Sequence, residues 1–147
     1  MPRYKRLYKL NTYYHLYNRG NRKHRVFYES TDYEIFLKYI NYYSGNYDIY
    51  IAGYCLMPNH FHLAVKSLCI PENISKMMQC SMTKFCVYIN LKYKLVGRSF
   101  QGTYKHREII DDKDFSKLMQ YFKDNPVKSG LVKDAELYRW LKTPEKL

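Results

Sequence analysis

The stretch from Asp48 to Lys66 constrains this chain more than any other. Asp48 to Leu56 is rich in Ile and Tyr, Met57-Pro58-Asn59 is a turn, and His60 to Lys66 alternates polar and apolar side chains. Two β-prone runs joined by so short a turn predict a hairpin. A segment of helical spacing flanks it on each side. Before it, Tyr33, Phe36, Leu37 and Ile40 recur at helical intervals; Thr31 or Asp32 can cap that helix and Gly45-Asn46 ends it. After it, Pro71-Glu72-Asn73 opens a longer helix to about Lys94, with Ile74, Met77, Met78, Met82, Phe85, Val87 and Ile89 as its apolar side.

The ends of the chain extend the pattern. Thr12 to Asn18 reads as a first strand, broken by Arg19-Gly20-Asn21-Arg22, and Ser99 to Ile110 as a fourth. Asp111 and Asp112 can cap a third helix that reaches Asn125, where Pro126 is expected to stop it. From Ser129 onward a short helix is expected. The order β-α-β-β-α-β is that of an α+β, ferredoxin-like (RRM-like) split βαβ fold. It predicts an antiparallel sheet of four to five strands, two helices on one face, and an additional C-terminal helix. The other sheet face is then free, and such a face suits nucleic acid.

With 147 residues the chain is read as one domain, 1–147, with its core at about 12–132. Its hydrophobic content of 46% excludes a disordered chain. The longest nearly apolar run, Ile49 to Met57, is about half of the roughly 18 residues a membrane span requires. No secretory signal opens the chain, and Cys55, Cys69, Cys80 and Cys86 form no C-x-x-C pair. Cys55 and Cys86 lie in apolar stretches and read as buried thiols. A cytoplasmic, nucleoid-associated protein is expected. The formal net charge is +12, concentrated in two blocks. One holds Arg3, Lys5, Arg6, Lys9, Arg19, Arg22, Lys23 and Arg25; the other runs from Lys76 to Arg107. The 18 tyrosines interleave with this charge. Basic side chains neutralise phosphates and aromatic rings stack on unpaired bases, so the pattern favours nucleic acid over a merely solubilising surface.

Two small constellations carry possible chemistry. In His60-Phe61-His62 the alternation of a strand puts both imidazoles on the polar face with Ala64 and Lys66, while Phe61, Leu63 and Val65 face the core. Such a pair can hold a metal ion, or it can be two surface histidines beside a turn. On the third helix Phe115, Leu118, Met119 and Phe122 form a core stripe. Tyr121 and Asn125, four apart, stack at that stripe's edge. A boundary aromatic and a helix-end amide would look the same. Two nitrogens and an oxygen together would suit a divalent ion with positions open for a phosphate.

The segment Tyr54-Cys55-Leu56-Met57-Pro58-Asn59-His60-Phe61-His62-Leu63 resembles the signature of the small single-tyrosine (Y1) HUH transposases. Tyr14-His15-Leu16-Tyr17-Asn18-Arg19-Gly20 is similar to that family's first strand. Phe100-Gln101-Gly102-Thr103-Tyr104-Lys105 is similar to its fourth, where Arg is more usual than Thr103. The run from Tyr121 to Val132, through Asn125-Pro126-Val127-Lys128, resembles the helix and turn that carry the nucleophile, most closely in the REP-associated branch.

The resemblance implies metal ligands at His60 and His62, with Asn125 as the third, a nucleophile at Tyr121, and Mg²⁺ or Mn²⁺ as cofactor. It implies a transposase that cuts and rejoins single-stranded DNA through a 5′-phosphotyrosine, at hairpin or palindromic element ends, as a monomer or homodimer. Arg19, Arg22, Lys23, Arg98, Lys105 and Arg107 are candidate phosphate contacts. A replication or transfer nickase shares this chemistry, and a domesticated, non-catalytic single-strand binder shares the scaffold.

Overall fold

The computed structural model describes residues 5–144; Arg3 of the first basic block lies outside them. In chain order the elements are β1 (Tyr14–Arg19), α1 (Ser30–Asn46), β2 (Ile49–Met57), β3 (His60–Ser67), α2 (Asn73–Tyr93), β4 (Lys105–Glu108), α3 (Asp112–Lys128) and β5 (Leu141–Lys142). Single turns of 3₁₀ helix occupy Asn21–Lys23 and Ala135–Leu137. The strands form one antiparallel sheet in the order β4-β1-β3-β2-β5. The expected hairpin is β2–β3, and the expected α+β split βαβ fold is the fold observed.

The sheet carries a core on each face. On one, Phe61, Leu63 and Val65 of β3 join Phe36 and Ile40 of α1 and Ile74, Met77, Met78, Phe85 and Ile89 of α2. Burying that much apolar side-chain surface is the main stabilising contribution of the fold. Val87, expected on the apolar side of α2, is instead exposed, because it lies two residues from both Phe85 and Ile89 and so falls on the far side of the helix.

The opposite face, expected to be free, is partly covered. The stripe Phe115, Leu118, Met119 and Phe122 of α3 packs on Ala52, Cys55, Met57 and Ala64. An amphipathic helix must bury its apolar stripe somewhere, and the small residues of β2 and β3 let it approach. The face remains open along β1 and β4 and at the Tyr50–Lys66 end of the hairpin.

Four boundaries differ from expectation. Asp32 lies inside α1, and its carboxylate accepts from the backbone N–H of Tyr28 and Glu29. The fourth strand keeps only four residues, because positions 99–103 form a loop joined to the sheet by the Gly20–Phe100 bridge. Pro126 does not stop α3, which continues to Lys128; one proline in the last turns removes one N–H, while the Ser129 N–H still reaches the Asn125 carbonyl. The tail is not only a helical turn but also supplies β5, which pairs with the outer edge of β2. Trp140, just before it, stacks on Tyr33 with ring centres 4.7 Å apart.

Gly20 is dictated by close approach. A Cβ on Gly20 would lie 1.9 Å from the His24 carbonyl oxygen. The Gly20 N–H bonds the Asn59 carbonyl, and the Val26 and Phe27 N–H groups bond that of Pro58. The loop after β1 is thereby clamped onto the turn that leads into His60.

Candidate active site

The strand register assembles the site. Across β1–β3, Arg19 opposes His60, Tyr17 opposes His62 and His15 opposes Ala64. Across β1–β4, Tyr17 opposes Lys105 and His15 opposes Arg107. Opposed residues of an antiparallel pair share a face. His60, His62, His15, Tyr17, Arg19, Lys105 and Arg107 therefore line the face on which α3 lies. Phe122 of α3 sits against His62 and His15, with ring centres 5.7 and 5.8 Å away.

Tyr121, the next residue to that anchor, is 48% exposed and meets His62 edge-on. One turn later the Asn125 side chain reaches the His60 ring, where it favours the charged form of the imidazole against the stronger effect of burial. The Asn125 amide nitrogen donates to the Tyr121 carbonyl at 3.1 Å, which leaves its Oδ1 as the free end. The two histidines, Tyr121 and Asn125 are thus brought together.

Burial favours the neutral form of both imidazoles. Burial pushes His62 down to about 2, assisted by His15 and His60. Burial likewise lowers His60. His60 Nδ1 lies 2.7 Å from Asn59 Oδ1, an acceptor, so Nδ1 carries the proton and Nε2 presents a lone pair. His62 Nδ1 lies 2.9 Å from His15 Nε2. His62 Nε2 is buried and, among the described residues, has no hydrogen-bond partner. A buried polar atom without a partner calls for an explanation, and the lone pair of a metal-ligating imidazole would be one.

Among the described residues no group of three or more His, Cys, Asp or Glu could by itself hold a metal ion. The donors available to a cation here are therefore two imidazole nitrogens and an amide oxygen. That set fits a divalent ion of intermediate hardness.

His15 is the residue that sequence reasoning missed as part of the site. It is 8% exposed, and burial, followed by the Arg107 charge, lowers it to about 4, with Asp114 opposing. Its period-two relation to Tyr17 and Arg19 in β1 was the available signal. Tyr17, half-buried, adds a ring 4.6 Å from that of His15.

The candidate basic residues divide. Arg19 and Lys105 are exposed on the site face, and Arg19 hydrogen-bonds Gln101. Arg107 shares that face but grips both oxygens of Asp114 at 3.0 and 3.1 Å. Arg22 and Lys23 stand on the left-handed turn after Gly20. Arg98 is not brought to the site. With Arg6, Gln79, Asn90 and Tyr104 it lines a hollow of about 770 Å³ between α2 and the 97–104 loop. Cys55 is fully buried under α3, whereas Cys86 is half-buried in that hollow.

The family model described as "Transposase IS200 like" matches residues 8–125, and the chain belongs to that family. Two solved structures share the fold. One is the REP-associated tyrosine transposase bound to a REP hairpin, 21% identical, with a TM-score of 0.77 over 96% of this chain and 82% of that one. The other is a candidate transposase from Deinococcus radiodurans R1, 17% identical, with a TM-score of 0.54 over 84% and 97%. None of the curated proteins matches the chain. Among the described residues no helix is long and apolar enough to cross a membrane.

Proposed function

We propose that this transposase cuts and rejoins single-stranded DNA at hairpin or palindromic ends, with Tyr121 as nucleophile and His60, His62 and Asn125 as holders of a divalent cation, Mg²⁺ or Mn²⁺. The observation that carries the reading is the buried His62 Nε2, without a hydrogen-bond partner among the described residues, beside the Tyr121 ring, with His60 and Asn125 against them. A relative of the same fold is recorded bound to a REP hairpin, which supports the class of substrate.

When bound, the cation would polarise a non-bridging phosphate oxygen and offset charge on the phosphodiester. The chain's own residues do the rest. The Tyr121 oxygen forms a bond to phosphorus and the bond to the 3′ oxygen breaks, leaving a 5′-phosphotyrosine and a 3′-OH. The phenol loses a proton and the departing oxygen gains one, so the step is balanced. The link keeps the phosphodiester bond energy, and a second 3′-OH can reverse it. The half-exposed position of Tyr121, against the anchored Phe122, gives the phenol access to a strand while fixing its backbone. Arg19 and Lys105, flanking Tyr17 on the open strip, would neutralise backbone phosphates while Tyr17 offers a stacking plane. One chain supplies the whole set, which favours action as a monomer.

The test is incubation with labelled single-stranded hairpin DNA from the gene's own flanks in Mg²⁺ or Mn²⁺. A covalent adduct is expected, absent with EDTA and absent in Tyr121→Phe. An adduct that survives Tyr121→Phe overturns the nucleophile; tight binding with no adduct under any condition overturns the enzyme.

A further inference from the structure

We propose that His15 is a positioning residue for His62: its Nε2 accepts the His62 Nδ1 proton and so fixes the tautomer whose Nε2 faces the site with a free lone pair. The inference rests on the metal reading above and adds to it a residue outside the ligand set.

The geometry is specific. The two ring nitrogens are 2.9 Å apart, with both rings buried and tilted 32° to one another. His15 lies diagonally across β1–β3 from His62, and its direct opposite is Ala64. A methyl group at 64 leaves the His15 ring room to lean toward position 62. Phe122 on one side and Tyr17 on the other confine that ring.

A neutral imidazole pair shares one proton between the facing nitrogens, so two arrangements exist. If His15 donates, His62 carries its proton on Nε2. That buried N–H would then have no acceptor and no lone pair for a cation. If His62 donates, its Nε2 is a bare acceptor that a cation completes. Ligating histidines commonly donate their second N–H to an outer partner that sets ring orientation. His60 uses the Asn59 amide oxygen in this way, and His62 would use His15.

The test uses the full chain and two measurements. Imidazole nitrogen NMR of the metal-free protein reads the His62 tautomer, and titration with Mn²⁺ alone reads Kd. The wild type is expected to show His62 protonated on Nδ1. His15→Phe, which cannot accept, should shift His62 toward the Nε2-protonated form and weaken Mn²⁺ binding by ~10-fold or more. His15→Gln, whose amide oxygen can accept, should recover most of both. His60→Ala should weaken Mn²⁺ binding while leaving the His62 tautomer unchanged.

A wild-type His62 protonated on Nε2 would overturn the proposal, and that measurement needs no variant to fold. Unchanged Mn²⁺ affinity in a folded His15→Phe protein, with wild-type binding intact, would overturn it alone. Failure of the wild type to bind Mn²⁺ would overturn the metal reading and this proposal with it.

Discussion

The Tyr121 ring meets the His62 imidazole edge-on within one chain, at 5.3 Å between centres and 83° between planes. Nothing has to be borrowed from a second subunit to complete the cluster. His60→Ala and Tyr121→Phe proteins, each inactive alone, should therefore stay inactive when mixed. Adduct formation on hairpin DNA is the readout. Recovery of adduct formation on mixing would mean that the tyrosine serves a partner's histidines.

Gly20 fixes the approach to His60. Any side chain there collides with the His24 carbonyl, a backbone atom that can move only if the 20–24 turn opens. Gly20→Ala should lower stability by about 1–3 kcal/mol. It should also weaken single-strand binding by displacing Arg22 and Lys23. Urea melts and a fluorescence-anisotropy titration check the two effects; wild-type values in both would show that the loop is freely deformable.

Asp32 is fully buried and joins the start of α1 to the end of α2. Burial works against its charge, but hydrogen bonds from Lys92, Tyr93, Tyr28 N–H and Tyr88 win and hold its carboxyl below the usual range. Lys92 stands 2.8 Å away and Tyr88 2.9 Å. Asp32→Ala would strand these donors and should cost about 3–5 kcal/mol, read as a lowered urea midpoint. By linkage, the native carboxylate's contribution is present above its unfolded pKa, near ~3.9, and is lost as pH falls through the lower folded value.

The histidine cluster sets a second pH dependence, which begins at higher pH. Burial above all holds His62 at about 2 and His15 at about 4, and lowers His60 too. In the unfolded chain each titrates near ~6.5. Below that pH the unfolded state takes up protons that the folded state refuses, so stability falls as pH drops. In chelator, the unfolding free energy should decline between about pH 6.5 and 5 at up to ~1.4 kcal/mol per pH unit for each ring. His15→Phe should flatten the slope by one proton's share. A level profile in the wild type would show that the rings are already solvated.

Much of this was legible in sequence because it is local. The β2–β3 hairpin, the α2 stripe and the α3 stripe follow from spacing, and His60 and His62 share a face because a strand repeats every two residues. Boundaries were legible only where a single residue governs them. Asp111 caps α3 as read, since its carboxylate accepts the Asp114 N–H. Pro126 misled, because a proline two residues from a helix end removes only one bond while its buried ring gains packing. The short β5 was invisible, since two residues carry no period and pair only because β2 offers an open edge.

By itself the sequence determined the element order, the two core stripes and the residue types able to hold a cation or attack a phosphate. The tertiary structure decided which of them meet. It laid α3 over β2 and β3, where Ala52 and Ala64 are small enough to admit it, and so carried Tyr121 to His62. It also brought His15 across the sheet to His62, a contact between residues 47 apart in the chain. The reason is physical: spacing along a strand or helix fixes which way a side chain points, whereas contact between elements depends on how their apolar faces pack.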